Sequence, residues 1–193
     1  PPLPPNVEPP QPEAEAARLV DPRAFRFWVR DHWSDEQWRL HRWAYCRLTE
    51  RVDGQIGKVL QALRQSGLEE NTLVVFTSDH GDMDAAHRLE HKSILYEEAA
   101  RVPLIVSLKG TTKPGLVDRK HLVSTGLDLI PTLCDFAGIA KPEGLSGQSV
   151  RALAEGHAPD SWRDTLVVES NRSRMIRGER FKYTVYDSGA HRE

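Results

Sequence analysis

The longest periodic segment of the chain begins at Ser34, which opens the sequence Ser-Asp-Glu-Gln. This order is typical of a capping box, in which the serine and the glutamine satisfy each other's backbone N–H groups at a helix start. Apolar residues then recur at three- and four-residue spacing, as on one helix face: Ala44, Leu48, Val52, Ile56, Leu60 and Leu63. The pattern predicts a helix ending near Ser66-Gly67, where the glycine can take a left-handed cap conformation.

Two apolar runs without alternation follow, at residues 72–78 and 104–108. Such runs are typical of strands buried on both faces of a parallel sheet. Residues 93–100, between the two runs, are predicted to form a helix or helical turn. Strand, helix and strand in this order predict a βαβ unit with its two strands parallel.

The remaining pattern changes character towards the C-terminus. A helix is predicted over residues 127–136, with Gly138 just past its end, and a short helix over 149–154. Short strands are then predicted, with a hairpin turn between the last two: 165–169, 174–177 and 181–186. The pattern thus predicts an α/β body followed by a small antiparallel element.

Composition narrows the classes of function. The 193 residues carry 26 Lys+Arg against 28 Asp+Glu, a formal net charge of -2. Nucleic-acid binders and anionic-membrane binders need a basic excess, so neither class is expected. No apolar run approaches the roughly 18 residues of a membrane span. The two cysteines, Cys46 and Cys134, lie on apolar helical stripes and are predicted to be core residues, not a disulfide scaffold or metal knuckle.

The N-terminus is rich in proline, beginning Pro1-Pro2-Leu3-Pro4-Pro5. Such a stretch is extended and does not seed a core, so it is expected to be a connecting loop. We therefore expect the chain to be part of a longer protein, called the parent protein below. The pattern divides the chain into a connecting segment (1–33), an α/β part (34–160) and the start of an antiparallel subdomain (161–193).

Candidate chemistry lies directly after the first predicted strand, at Asp79-His80-Gly81. In open α/β sheets, ligands bind at the carboxyl ends of strands. A hard divalent cation would take the carboxylate of Asp79 first, and Gly81 lets the backbone turn sharply. Alternatively, Asp79 and His80 only cap the following turn. Downstream, Lys92 is able to hold an anionic oxygen as a point charge.

These residues carry a resemblance to a known family. Asp79-His80-Gly81 is followed by Lys92, then by Tyr-Glu-Glu at 96–98 and Arg-Val-Pro-Leu-Ile at 101–105. In order and spacing this resembles the sulfatase family of the alkaline phosphatase superfamily, over roughly residues 38–186. The resemblance implies part of an alkaline-phosphatase-like α/β sandwich with a mainly parallel sheet, followed by a small antiparallel C-terminal subdomain.

The resemblance also implies a reaction and a set of roles. Sulfatases hydrolyse sulfuric esters with a formylglycine nucleophile, made from a Cys/Ser-x-Pro-x-Arg motif, and a Ca²⁺ ion. By position, Asp79 and His80 match two metal ligands, Lys92 matches a lysine that contacts the sulfate, and His87 matches a histidine common in the family. Neither Cys46 nor Cys134 is followed by x-Pro-x-Arg. The nucleophile and the remaining ligands are therefore expected upstream in the parent protein, and the isolated chain is expected to be inert.

Several alternatives stay open. One is a phosphodiesterase or phosphonate monoester hydrolase of the same superfamily, and another is an inert sulfatase-like fragment or binding module. A sulfated small molecule or glycan is the expected substrate, and by resemblance the compartment is periplasmic, secreted or lysosomal. Candidate contributors to the substrate pocket are aromatic or basic residues: Trp28, Trp33, Arg88 and Arg172.

Overall fold

The computed structural model describes residues 1–8, 32–92, 94–171 and 173–186. Five strands and four α-helices, labelled in chain order, occur within these ranges. They are α1 (Asp35–Gln65), β1 (Val74–Thr77), α2 (Glu97–Ala100), β2 (Leu104–Ser107), α3 (Thr125–Ala137), α4 (Arg151–Glu155), β3 (Leu166–Glu169), β4 (Ser173–Arg177) and β5 (Lys182–Tyr186). None of the described helices is both long enough and apolar enough to cross a membrane.

Helix α1 begins and ends where the sequence predicts. The Ser34 hydroxyl accepts a hydrogen bond from the Gln37 N–H, and the Gln37 side chain accepts one from the Ser34 N–H, which completes the capping box. At the other end Gly67 has a φ of +71°, as expected for a left-handed cap. The predicted apolar stripe is exposed over its first half, where Leu48 and Val52 face solvent in the described part of the chain.

The two central strands pair, but the predicted parallel arrangement is wrong. Strands β1 and β2 run antiparallel, with Phe76 opposite Ile105. A parallel return needs a crossover of a dozen or more residues, usually a helix that runs back along the sheet. Helix α2 spans only four residues, so the chain does not return to the starting edge before β2 begins. The described residues contain no parallel pairing.

The predicted burial of these strands on both faces is also not found. Phe76 and Ile105, which face each other across the pair, are 41% and 57% exposed. Among the described residues no other strand pairs with either edge of β1–β2. The described part of the chain thus leaves some of the apolar side chains of these two strands exposed to solvent.

The C-terminal antiparallel sheet is as predicted. Strands β3, β4 and β5 follow one another in order, each antiparallel to its neighbour. Arg177 pairs with Lys182, and the Gly178 N–H donates to the Phe181 carbonyl oxygen to close the turn. Helices α3 and α4 lie within two residues of their predicted starts, and Gly138 caps α3 with a φ of +68°.

The buried residues gather around the connection between β1 and β2. All buried residues of one cluster come from this connection: Met83, Ala86, Leu89, Ile94 and Ala99. A second cluster joins Trp38 of α1 to Ala85, with Leu3 and Trp33 packed against it. The connection carrying the candidate site residues is therefore also the best-packed part of the described chain. Of the two cysteines, Cys134 is buried as predicted and Cys46 is half-buried.

Candidate functional site

Asp79 and His80 lie where β1 ends, as predicted. The Ser78 hydroxyl donates to the His80 carbonyl oxygen at 2.6 Å, and the His80 N–H donates to Asp79 Oδ1 at 3.0 Å. These local bonds fix the turn but leave the Asp79 side chain 81% exposed. An exposed carboxylate at a strand end, held by its own turn, is free to bind a cation on its outer side.

The His80 ring is oriented by the backbone of the next residue. Nδ1 lies 2.7 Å from the Gly81 carbonyl oxygen. Because a carbonyl oxygen only accepts, Nδ1 carries the proton, and in the neutral ring Nε2 keeps its lone pair. Nε2 lies 3.3 Å from Asp79 Oδ2 and within hydrogen-bonding distance of Lys92 Nζ. The sequence-predicted trio of Asp79, His80 and Lys92 is thus brought together around one nitrogen atom.

The charge state of Asp79 follows from these neighbours. Desolvation acts to raise the pKa of Asp79, but the electrostatic effect of the nearby His80 ring, the local backbone N–H groups and Lys92 outweigh it. The net effect is a pKa below the usual range of an aspartate. Asp79 is therefore an anion at neutral pH and keeps its oxygen lone pairs for a cation.

Gly81 is required here for close approach. Its N–H donates to the Ala99 carbonyl oxygen at 2.8 Å, and a Cβ at this position would lie 1.9 Å from the Glu98 carbonyl oxygen. Its φ is not in the left-handed region, so the predicted reason for this glycine, a sharp turn, is not the operative one. Only glycine lets the strand end pack directly against α2.

The loop between Gly81 and Lys92 is strained. Its non-glycine residues with positive φ, from 41° to 75°, are Asp84, Ala85, His87, Arg88 and His91. Left-handed backbone costs a non-glycine residue roughly 1–2 kcal/mol, so surrounding contacts must hold it. Helix α1 supplies two ion pairs: Arg42 Nε lies 3.0 Å from Asp84 Oδ2, and Arg88 Nη2 lies 2.8 Å from Asp35 Oδ1.

His87 contacts a different set of residues from the trio. Its N–H donates to the Asn6 carbonyl oxygen at 2.7 Å, and its Nδ1 lies 3.3 Å from the Glu8 carbonyl oxygen. Its ring stacks on Tyr96, with centroids 4.7 Å apart. The imidazole is thus engaged by the N-terminal segment and by Tyr96, and these contacts are those of a residue that fixes the loop.

The candidate pocket residues are only partly accounted for. Trp33 packs edge-on against Trp38, with centroids 5.1 Å apart, and Arg88 pairs with Asp35 as described above. Trp28 and Arg172 lie outside the described residues. Among the described residues, Asp79 opens onto a cleft of about 1140 Å³ whose walls include Leu104, Val123 and other residues of β2, the segment before α3, and β3.

Sequence reasoning missed the residues that hold this loop from a distance. Asn6 Nδ2 donates to Glu98 Oε1 at 2.6 Å and lies 3.4 Å from His87 Nε2. Lys182 of β5 donates to the Leu95 carbonyl oxygen at 3.2 Å. No spacing rule links residues so far apart along the chain, so the only available signals were a polar residue within the proline-rich stretch and a lysine opening a strand.

The chemistry of the donor set fits part of a calcium site. Ca²⁺ takes six to eight ligands, mostly oxygen atoms. Asp79 supplies an exposed anionic carboxylate, and the neighbouring His80 Nε2 would add one nitrogen donor. Within the described ranges, no group of three or more His, Cys, Asp or Glu side chains is arranged to hold a metal. Asp79 and His80 are therefore sufficient for part of a coordination shell and insufficient for all of it.

Comparison with known proteins gives the family. The sulfatase family model matches residues 5–139, which is most of the chain and includes the whole trio. The chain belongs to the sulfatase family. Sulfatases are members of the alkaline phosphatase superfamily, so this agrees with the resemblance found in the motifs.

Individual sulfatases show how much of a relative the chain spans. It is 36% identical over 172 residues to a Delta 4,5-hexuronate-2-O-sulfatase of Bacteroides thetaiotaomicron, covering 82% of this chain and 35% of that protein. It is 34% identical over 167 residues to arylsulfatase K of Danio rerio, covering 82% of this chain and 31% of that protein. The chain thus spans about a third of the length of these relatives.

Solved structures agree at the level of the fold. The structure of a 2-O GAG sulfatase superposes with a TM-score of 0.87 at 32% identity, over 100% of this chain and 44% of that one. A phosphonate monoester hydrolase from Silicibacter pomeroyi superposes with a TM-score of 0.70 at 26% identity, over 91% of this chain and 40% of that one. The described fold is thus part of a sulfatase-like fold that a phosphonate monoester hydrolase also shares.

Proposed function

We propose that the parent protein hydrolyses sulfuric esters and that this chain supplies part of its calcium and sulfate site. The observation that carries the proposal is the meeting of Asp79, His80 and Lys92 at the end of β1, in a chain of the sulfatase family. An anionic carboxylate, an imidazole lone pair and an ammonium group together suit a cation and an oxyanion bound side by side.

Each residue has a separate role in this proposal. The Asp79 carboxylate and His80 Nε2 would be ligands of Ca²⁺, which when bound neutralises charge on the sulfate oxygens as a Lewis acid. Lys92 would contact a sulfate oxygen as a point charge on a flexible stem. Its ammonium group lies against His80 Nε2, beside the two proposed metal ligands, where an oxyanion bound to the metal would lie.

The rest of the catalytic machinery is assigned to the parent protein outside this chain. The nucleophile, a formylglycine, and the remaining calcium ligands would come from there, as would the first strands of a mainly parallel sheet. Residues 34–160 would complete the α/β domain, and residues 161–193 would begin the antiparallel subdomain. On this basis the isolated chain would turn over no substrate.

A sulfated glycan is the proposed substrate class. One sequence match and one structure match are named for a sulfate at the 2-O position, the sequence match on a hexuronate, and the chain aligns with both over most of its length. The pocket that would select the sugar draws on parts of the parent protein outside this chain. The proposal therefore extends to a sulfated glycan and not to one particular sugar.

Phosphonate monoester hydrolysis is the second candidate function. It is favoured by the superposition with the phosphonate monoester hydrolase, which covers 91% of this chain. Both reactions need a metal beside an oxyanion, and they differ in the charge that must be neutralised. The contacts of the trio suit either oxyanion, so the two candidates are separated by the substrate and not by these residues.

The test compares substrates and variants of the parent protein. We expect kcat/KM for an aryl sulfate or a 2-O-sulfated disaccharide to exceed that for an aryl phosphonate monoester. Lys92→Ala should lower the sulfate kcat/KM about a hundredfold, since one electrostatic contact to transition-state charge is worth that much. Lys109→Ala is the matched control, because Lys109 pairs with Glu69 and Glu70 on the surface. Preferential turnover of the phosphonate would favour the second candidate, and full activity of Lys92→Ala would remove Lys92 from the site.

A further inference from the structure

Two aromatic rings on either side of Lys92 in the sequence lie against each other in space. The His87 and Tyr96 rings stack with centroids 4.7 Å apart and planes inclined by 40°. The segment that carries Lys92 is therefore closed at both of its ends by one contact.

Lys182 of β5 reaches this stack from the C-terminal sheet. Its Nζ lies 5.5 Å from the centroid of the Tyr96 ring, a distance at which a cation is attracted by the ring face. The same Nζ donates to the Leu95 carbonyl oxygen at 3.2 Å and lies 3.9 Å from Glu97 Oε1. One ammonium group thus contacts three successive residues, 95–97, immediately downstream of the Lys92 segment.

The N-terminal segment holds the other member of the stack. The His87 N–H donates to the Asn6 carbonyl oxygen at 2.7 Å, and the Asn6 amide donates to Glu98 Oε1 at 2.6 Å. Asn6 therefore bridges the His87 side and the α2 side of the connection. With Lys182 on one side and Asn6 on the other, the loop is fixed by two segments that lie far from it in sequence.

The loop needs such external contacts because its own backbone is unfavourable. His87 itself has a φ of +55°, and its neighbour Arg88 has a φ of +51°. Residues in this region relax when the surrounding structure no longer imposes the conformation. A contact that keeps His87 stacked on Tyr96 therefore also keeps the strained turn in place ahead of Lys92.

We propose that Lys182 is a positioning residue for Lys92, acting through Tyr96 and its stack on His87. The C-terminal sheet would then do more than pack beside the α/β part, because its β5 lysine sets where the sulfate-contacting ammonium group lies. This inference rests on the proposed role of Lys92. Lys182 itself contacts the Tyr96 ring, the Leu95 carbonyl oxygen and Glu97, and in the proposed function the substrate would be contacted by Lys92 and not by Lys182.

The first test measures turnover of an aryl sulfate by the parent protein. Lys182→Met keeps the length of the side chain and removes the cation, and should lower kcat about tenfold with a smaller change in KM, since misplacement of a reacting group acts mainly on the transition state. Lys182→Arg keeps a cation over the ring and should retain most of the wild-type kcat. Arg180→Met is the matched control, because Arg180 lies over the exposed Phe181 ring on the same hairpin.

A double variant separates positioning from a general structural role. If Lys182 acts through Lys92, then Lys182→Met should cause no further loss of kcat in a Lys92→Ala background. An equal fall in both backgrounds would overturn the proposal, and so would an unchanged kcat in Lys182→Met alone.

Amide hydrogen exchange of the parent protein gives a readout that needs no turnover. Lys182→Met should exchange several-fold faster than wild type in residues 82–92, and Arg180→Met should not. If the parent protein hydrolyses no sulfate ester, the proposed function fails, and the exchange result still decides whether Lys182 positions this loop. Unchanged exchange in residues 82–92 of Lys182→Met would overturn the inference on its own.

Discussion

Arg163 binds both carboxylate oxygens of Asp128, with Nη1–Oδ2 and Nη2–Oδ1 distances of 2.5 and 2.6 Å. The Asp128 side chain is 1% exposed, and its oxygens also accept the N–H groups of Ser124 and Gln148, both at 2.8 Å. This buried carboxylate therefore has partners from the start of α3, from the loop before α4 and from the segment before β3. A charge at such a depth is tolerated because every oxygen is hydrogen-bonded.

We predict that Asp128→Asn is strongly destabilising. The neutral amide would leave the Arg163 guanidinium without its counter-charge, and its NH₂ group would face a backbone donor. Removing one partner of a buried ion pair costs about 3 kcal/mol or more. Urea unfolding of the parent protein should show this as a lower midpoint for the transition that includes α3.

Asp135→Asn on the same helix is the matched control. Asp135 pairs with Arg151 where both side chains are well exposed, so the loss of charge is largely compensated by water and salt. Its unfolding midpoint should stay close to that of wild type. If Asp128→Asn lowered the unfolding midpoint no more than Asp135→Asn, the buried Asp128–Arg163 pair would contribute no more to stability than the exposed pair.

The Asp128–Arg163 pair also predicts a pH dependence. Desolvation acts to raise the pKa of Asp128, but hydrogen bonds from Arg163 and from the N–H groups of Ser124 and Gln148 hold it below the ordinary value. A carboxyl group with a lowered folded-state pKa stabilises the fold fully above its unfolded pKa of about 4, and loses that contribution as the pH falls through the folded value.

The difference in unfolding free energy between wild type and Asp128→Asn is the quantity that reports this titration. It should be constant from neutral pH down to about pH 4 and should shrink below it. Denaturant unfolding of both proteins across this range measures the difference. A difference that stayed flat below pH 4, or that grew as the pH fell, would contradict the lowered pKa of Asp128.

Sequence reasoning predicted the local elements of this fold and failed on how two of them pair. The capping box at Ser34 and the left-handed caps at Gly67 and Gly138 depend on a few neighbouring residues, so they can be predicted from the sequence alone. The direction of β2 relative to β1 depends on the path of the connection between them. That path is fixed by contacts such as Gly81 against Glu98, which composition and periodicity do not encode.

The candidate site likewise contains residues that the sequence predicts and residues that it does not. Asp79, His80 and Lys92 could be singled out because a family motif places them, and the structure brings them together. The partners of His87 could not, because Asn6 is 81 residues away and the intervening sequence carries no repeat or spacing that links the two. Contacts between residues so far apart in sequence form only in the folded chain, so local sequence patterns do not predict them.

Gly81→Ala should displace the site loop from α2. An added Cβ would lie 1.9 Å from the Glu98 carbonyl oxygen, and a backbone atom moves less readily than a side-chain tip. We expect a loss of about 2 kcal/mol in unfolding free energy, with lower calcium affinity if the strand end shifts. Gly126→Ala is the control, because the nearest atom to its Cβ is Ser124 Oγ at 3.8 Å. Equal stability of the two variants would show that the close approach at Gly81 is not restrictive.

Ser34→Ala should weaken the start of α1. The Ser34 hydroxyl accepts the Gln37 N–H at 3.3 Å, and loss of such a cap costs about 1 kcal/mol. Ser34→Asn should restore most of the stability, since asparagine is an equally good capping residue. Denaturant unfolding followed by far-ultraviolet circular dichroism measures both variants. If Ser34→Asn were as unstable as Ser34→Ala, the effect would lie outside the cap.

The calcium assignment predicts a direct effect of Asp79 on metal affinity. Asp79→Asn keeps the size of the side chain and removes the negative charge that a hard cation requires. Changes one shell further out already cost ten- to hundredfold in metal affinity, so the calcium Kd of the parent protein should rise by more than about tenfold in a calorimetric titration. Asp53→Asn, at an exposed position on α1, is the control and should leave the Kd unchanged. An unchanged Kd in Asp79→Asn would remove Asp79 from the ligand set, even if the sulfatase activity of the parent protein were confirmed. Because the carboxylate lies at the end of β1 in an anionic state before any metal binds, the expected change is in affinity and not in the fold of the strand.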